Sequence, residues 1–152
     1  FEQTGTGHGA TPVDPWSYAD YILQKGSFPS GVTILIRGKS IETVDPEITS
    51  GNGYRYAIWD KWGDDPWQIE FNKALNVSAN GIVFRNGIIY KSGGSRTDNL
   101  DLWIGVNEGG PHINMLFQVT TADQIVIGGT QQFKGCSFKA GGQIGTVTIT
   151  TS

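Results

Sequence analysis

Ionisable side chains are scarce in this chain. Asp, Glu, Lys and Arg make up 16% of the 152 residues, against about 25% in ordinary soluble domains. The balance of 11 basic to 14 acidic residues gives a net charge of −3 and leaves no Lys/Arg cluster. That argues against a nucleic-acid partner, because neutralising phosphates needs a basic footprint. Cysteine is reduced to Cys136, which excludes an internal disulfide framework and a zinc site built from several thiolates. The only histidines are His8 and His112, and no Gly-x-Ser-x-Gly elbow is present, so a nucleophilic triad has little to be built from. No apolar run approaches the roughly 18 residues of a membrane span. No leader pattern precedes Phe1, and a chain matured by cleavage would look the same.

What is present is glycine, 22 residues of it, set among short β-branched and aromatic runs. The length suits one domain, and a domain of this size buries roughly 70% of its unfolded surface without needing disulfides. Residues 1–12 are glycine-rich and without apolar periodicity, the composition of an arm. Asp14 has the character of an N-cap and Pro15 that of a first helical residue. The spacing of Trp16, Ala19, Ile22 and Leu23 predicts one helix over about residues 15–25, ended at Gly26. After Gly31 the chain reads as strands. Val32–Arg37, Tyr54–Trp59, Trp67–Phe71, Leu100–Val106 and Ile113–Thr120 are β-rich, and three further runs follow to Thr150. Ile82 to Tyr90 contains Asn86-Gly87, the pair favoured in a type I′ hairpin turn. Turn signals every 8–12 residues point to an antiparallel β-sandwich or jelly roll of about nine or ten short strands with one short N-terminal helix. Residues 1–30 form an attachment region and 31–152 the sandwich. No repeat of fixed period is visible, which counts against a β-solenoid. After Gly109 the only charged residues are Asp123, Lys134 and Lys139, which marks that part for self-association.

Catalytic and metal chemistry find little support. Cys136 lies in an apolar alternation with Phe133 and Phe138, the setting of a buried inert thiol. Asp60 with Asp64 and Asp65, and Asp98-Asn99 with Asp101, have the oxygen ligands calcium wants but not the loop pattern. Turn residues of the same type are commoner, so no cofactor is expected, with calcium the one alternative. Two suitably spaced carboxylates would serve a glycosidase, so a polysaccharide hydrolase stays open. Asn76-Val77-Ser78 is a glycosylation sequon whose use depends on secretion.

Aromatics carry the strongest functional signal. Trp59, Trp62 and Trp67 fall within nine residues, interleaved with Asp60, Asp64 and Asp65. A loop Trp beside carboxylates suits sugar recognition, in which the ring stacks on a pyranose and acids take its hydroxyls. Trp59, Asp60, Trp62, Asp64, Asp65 and Trp67 are therefore the candidate ligand residues. Trp59 and Trp67, at strand ends, fit the core equally well.

Two segments, Asp20-Tyr21-Ile22-Leu23-Gln24-Lys25-Gly26 and Tyr54-Arg55-Tyr56-Ala57-Ile58-Trp59-Asp60-Lys61-Trp62, resemble a pattern in bacteriophage tail fibres. The long insertion between them departs from that pattern. The resemblance implies a trimeric receptor-binding tip that recognises host-surface polysaccharide or protein. Together these features predict a non-enzymatic, extracellular or virion-associated module, homo-oligomeric as a trimer or polymer, that binds a cell-surface glycan or receptor. The alternatives are a filament or capsid subunit assembled by strand or arm exchange, a polysaccharide hydrolase, and a pore-forming β-domain.

Overall fold

Glycine and asparagine punctuate the β-runs, and in the fold they bend the chain rather than reverse it. The computed structural model describes residues 6–11, 14–42, 48, 56–71, 75–77, 81–92, 100–106, 110–120, 124–140 and 146–149. It opens with an antiparallel pair, Thr6–Thr11 (β1) and Asp14–Trp16 (β2). Helix Tyr18–Gln24 (α1) and a 3-10 turn, Lys25–Ser27, follow. The chain then winds in coils. Thr33–Ile36 (β3) and Lys39–Glu42 (β4) start the first, and Ile48 closes it. Ile58–Lys61 (β5), Trp67–Phe71 (β6) and Leu75–Val77 (β7) form the second, and Val83–Phe84 (β8), Gly87–Lys91 (β9) and Leu100–Val106 (β10) the third. His112–Ile113 (β11), Leu116–Val119 (β12) and Gln124–Thr130 (β13) form the fourth, and Phe133–Lys134 (β14), Ser137–Ala140 (β15) and Thr146–Ile149 (β16) the fifth.

Corresponding strands of successive coils pair side by side in three faces. The first runs β3-β5-β8 and continues through an Arg85–Ile113 bridge to β11-β14. The second is β4-β6-β9-β12-β15, and the third is β7-β10-β13-β16 with Ile48 bridged to Val77. Every pairing in these faces is parallel. The architecture is a three-sided parallel β-solenoid, which overturns the expected antiparallel sandwich or jelly roll. Most strand positions were legible, but their partners were not. The expected Asn86-Gly87 hairpin is absent: Asn86 alone takes a left-handed backbone, at φ 55°, and Gly87 begins a strand in the next face. One left-handed residue makes a corner, whereas a type I′ turn needs two. The repeat shows no fixed period in the sequence because its length varies. The registers Trp59↔Phe84, Arg85↔Ile113 and His112↔Phe133 step by 25, 28 and 21 residues.

Parallel registry stacks each inward side chain on one from the coil before. Ile34, Trp59, Phe84, His112 and Phe133 make one such column. Trp59 meets Phe84 edge-on at 5.6 Å, Phe84 stacks on His112 at 5.4 Å, and His112 lies 5.1 Å from Phe133. Phe117 stacks on Phe138 at 5.3 Å in the neighbouring column. Lys91 is buried in a third column, between Phe71 and Val119 in register. At His112 the imidazole completes the ladder: Nδ1 accepts the Phe84 N–H at 3.1 Å, where β8 and β11 share only a bridge. An accepting Nδ1 requires a neutral ring with its proton on Nε2. Burial pushes the His112 pKa down to about 4, and the nearby Gln131 side chain opposes that shift.

The N-terminal mouth of the coils is covered by α1. Its cap is Ser17 rather than Asp14, which belongs to β2. Ser17 Oγ accepts the Asp20 N–H at 3.1 Å, and Ser17 N–H reaches back to Asp20 Oδ2 at 3.3 Å, a capping box with Asp in the Glu position. Tyr18 and Tyr21 are the fully buried residues of the helix; of the expected stripe, Trp16 and Ile22 pack partly buried against the core, whereas Ala19 and Leu23 are exposed. Tyr21 meets Trp59 at 5.9 Å and Tyr18 meets Phe71 at 6.0 Å, both edge-on. Phe28 stacks on Tyr21. On the second face, Lys39 Nζ lies 2.7 Å from Glu70 Oε2. Hydrogen bonds from Lys39 and Ser92 hold the Glu70 carboxyl below its usual range.

Two outcomes are expected. A Cβ on Gly87 would lie 2.1 Å from the Trp67 ring, which cannot swing away while its Nε1 donates to Arg85 O at 2.7 Å. Gly87→Ala should therefore cost about 1–3 kcal/mol by overpacking, read from denaturant midpoints; an unchanged midpoint would contradict the fixed ring. His112 gains a proton near pH 4 in the folded chain and near 6.5 when unfolded. Between those values the unfolded chain holds more proton, so stability is full above about pH 6.5 and declines as pH falls towards 4. The loss should approach ~3 kcal/mol, and His112→Gln should flatten the pH dependence measured by urea unfolding.

Candidate functional site

The corner between the first and second faces is the most regular turn of the solenoid, with one exception. In four coils two residues make it: 37–38, 85–86, 114–115 and 135–136. Gly38, Asn86, Asn114 and Gly135 supply positive φ there, a conformation open chiefly to glycine and, among side-chain residues, to asparagine and aspartate. In the second coil the corner is five residues long, Trp62-Gly63-Asp64-Asp65-Pro66. Solenoid insertions of this kind project from one face, often the binding face.

The inserted loop is braced at its base. Trp62 N–H donates to Ile36 O at 2.8 Å, and Lys61 Nζ donates to the Asp64 carbonyl at 2.7 Å. The Trp62 ring is half-buried, and the Arg37 guanidinium lies 5.5 Å from its centroid, a cation–π contact. Asp64, Asp65 and Pro66 are exposed. Beside the loop runs a ladder of polar side chains along the solenoid axis. Asp60 Oδ1 accepts the Lys61 N–H at 2.7 Å and Asn86 Nδ2 at 2.9 Å. Asn86 Oδ1 in turn accepts Asn114 Nδ2 at 3.1 Å. Gly135 leaves room for that amide, since a Cβ there would sit 2.7 Å from Asn114 Oδ1.

The six expected ligand residues thus divide. Trp62, Asp64 and Asp65 lie together on the projecting loop, and Asp60 anchors the ladder at its foot. Trp59 and Trp67 are fully buried, 6.2 Å apart and edge-on in the core, where no solvent-borne ligand reaches them. Arg37, Asn86 and Asn114 were not foreseen as part of this corner. The available signal was recurrence of Gly or Asn within two residues ahead of the other four second-face strands.

Among the described residues no three His, Cys, Asp or Glu side chains converge as metal ligands. The second calcium candidate, Asp98-Asn99 with Asp101, lies outside the residues whose side chains are described. Cys136 is half-buried, with its thiol 3.4 Å from the His112 carbonyl rather than the imidazole. No described helix is long and apolar enough to cross a membrane.

Asn86→Asp tests the ladder. It keeps a residue tolerant of positive φ but sets a second carboxylate against Asp60 and removes the donor between them. It should cost about 1–3 kcal/mol relative to the parent, read from urea midpoints, and most of that penalty should disappear in an Asp60→Asn background, where the second carboxylate is gone. An equal penalty in both backgrounds would mean that Asp60 and Asn86 are not coupled.

No family model matches the chain, and no curated protein or solved structure is significantly similar to it.

Proposed function

We propose that the chain is a non-enzymatic binding module of an extracellular or virion-associated assembly, and that it takes a host-surface carbohydrate or receptor at the corner over residues 62–66. The observation that carries this reading is the insertion itself: one corner of one coil departs from the two-residue pattern, and it does so with a Trp and two carboxylates. A half-buried ring with the Arg37 guanidinium 5.5 Å from its centroid is restrained before it meets a ligand, which lowers the entropy lost on binding. Asp64 and Asp65 stand free to accept hydroxyl hydrogen bonds. Asn114, exposed further along the same corner, extends the polar track beside the ring. A charge-poor chain fits recognition by stacking and neutral hydrogen bonds better than by ion pairing. A carboxylate already accepting two hydrogen bonds, as at Asp60, is better suited to bracing than to proton transfer.

An array of host-surface polysaccharides and outer-surface proteins tests the reading. The parent should bind a subset, and Trp62→Ala should weaken that binding at least about tenfold, ~1.4 kcal/mol, with its thermal midpoint little changed. Asp64→Asn and Asp65→Asn should weaken it less. Binding that survives Trp62→Ala at full strength would remove the corner from the proposal, and a parent that binds nothing on the array would remove the proposal itself.

A further inference from the structure

The first face is not one continuous sheet. Its strands fall into β3-β5-β8 and β11-β14, joined between the third and fourth coils through the Arg85–Ile113 bridge alone among the described pairings. The second and third faces are unbroken at the same height, through β9-β12 and β10-β13. A strand between parallel neighbours sends alternate N–H groups to opposite sides, and residues 84–86 do so. Arg85 N–H donates back to Trp59 O of the second coil at 2.8 Å, whereas the N–H groups of Phe84 and Asn86 face the fourth coil. Asn86 N–H finds a carbonyl there, Ile113 O at 2.9 Å. Phe84 N–H finds the His112 imidazole instead of a carbonyl, at 3.1 Å. One of the donors that hold this seam thus depends on a side chain able to take up a proton.

The imidazole accepts only while Nδ1 is bare. A proton there would meet the Phe84 N–H donor to donor and would place a charge among rings. Phe84 stacks on the imidazole, Phe133 follows it in the column, and Phe117 meets it edge-on at 6.1 Å. No counter-charge is at hand. Gln131 is neutral, the Cys136 thiol faces the His112 carbonyl, and no described carboxylate pairs with the ring. The basic side chains nearby, Arg85 and Lys134 in register with Ile113 and Lys91 in another column, offer none either. His112 is 0% exposed, so it meets acid only when the coils part.

We infer that His112 is an acid-released latch: in acid the third and fourth coils part along the first face, and the Asn86–Asn114 rung beside the loop at residues 62–66 is undone with them. The rung crosses the same seam, with Asn86 in the corner of the third coil and Asn114 in that of the fourth. Each lies two residues beyond a partner in the latch, Asn86 after Phe84 and Asn114 after His112. The unbroken second and third faces serve as the hinge and keep the opening local. Control of ligand binding by the latch rests on the reading of residues 62–66 given above; the latch itself does not.

Native-state hydrogen exchange, compared as protection factors at pH 7 and pH 5, tests the seam. The ring takes its proton near pH 4 when closed and near its ordinary 6.5 when freed. Protection of the Phe84 and Asn86 amides should therefore fall roughly 20-fold between the two conditions. Arg85, between them but bonded to the second coil, and Asn114, bonded to Lys134 O, should keep theirs. His112→Asn puts an oxygen near the Nδ1 position and takes no proton, so the fall should vanish. Should that variant not fold, His112→Phe keeps a ring, and its Asn86 protection should not change with pH. The same array of host-surface polysaccharides and proteins, read at both pH values, tests the link to the site: retention that needs Trp62 should drop several-fold at pH 5 in the parent and hold in the His112 variant. Equal loss of protection at Arg85, full protection of Phe84 and Asn86 at pH 5, or an acid loss that persists in both His112 variants would each overturn the latch. Lost protection with unchanged retention would overturn its link to the site, and a parent that retains nothing would remove the ligand reading while the latch stands on exchange.

Discussion

Strands that run parallel and in register leave each inward side chain lying on its counterpart one coil away, at the roughly 4.8 Å spacing of a sheet. The interior therefore has to be filled by shapes that tolerate a close neighbour above and below. Flat rings do this well, and the column Trp59–Phe84–His112–Phe133 is made of them. The same demand explains the neutral histidine, which stacks like a phenyl ring while lending a nitrogen to an unpaired Phe84 amide. It also explains Gly87, the one residue small enough to lie under the Trp67 indole.

The outside answers to the same registry. A corner residue in one coil lies beside the corner residue of the next, so the amides of Asn86 and Asn114 reach one another, and Asp60, at the end of the strand before the longer corner, joins them in a ladder. Asp60, Asn86 and Asn114 hold one another's orientation, and their order is inherited by anything placed beside them. That is why a loop of five residues can be both projecting and well braced: its base is fixed by backbone bonds to the first coil and its flank by the amide ladder of the third and fourth.

Much of this was legible locally and little of it globally. Alternation at Trp67-Gln68-Ile69-Glu70-Phe71 reported a strand with one face buried, and it is one. The Trp62 loop stood out by composition, and its connection between strands was placed correctly. What composition does not report is which strand lies beside which. Asn86-Gly87 has the residue types of a hairpin, and only the conformation of Gly87 decides between a reversal and a corner. The periodicity was hidden because coil length changes in segments that face outward, while the inward columns stay aligned. The helix was foreseen and so was the packing of Trp16 and Ile22, but its fully buried pair was not, because Leu23 and Ala19 obey helical spacing as well as Tyr18 and Tyr21 do. Trp59 and Trp67 show the limit of reading aromatic density as a surface: two of three clustered indoles belong to the core.

Because coils stack at a fixed rise, the solenoid is also a measuring rod. A corner that lengthens in one coil displaces nothing above or below it, so the position of the Trp62 loop along the axis is set by coil number alone. Exchanging that loop for another, or moving the insertion to the corner at residues 85–86 or 114–115, would shift the projecting turn by whole steps of the rod while the scaffold stays as it is. A chain built this way can change what it presents, and at what height, by editing a single turn.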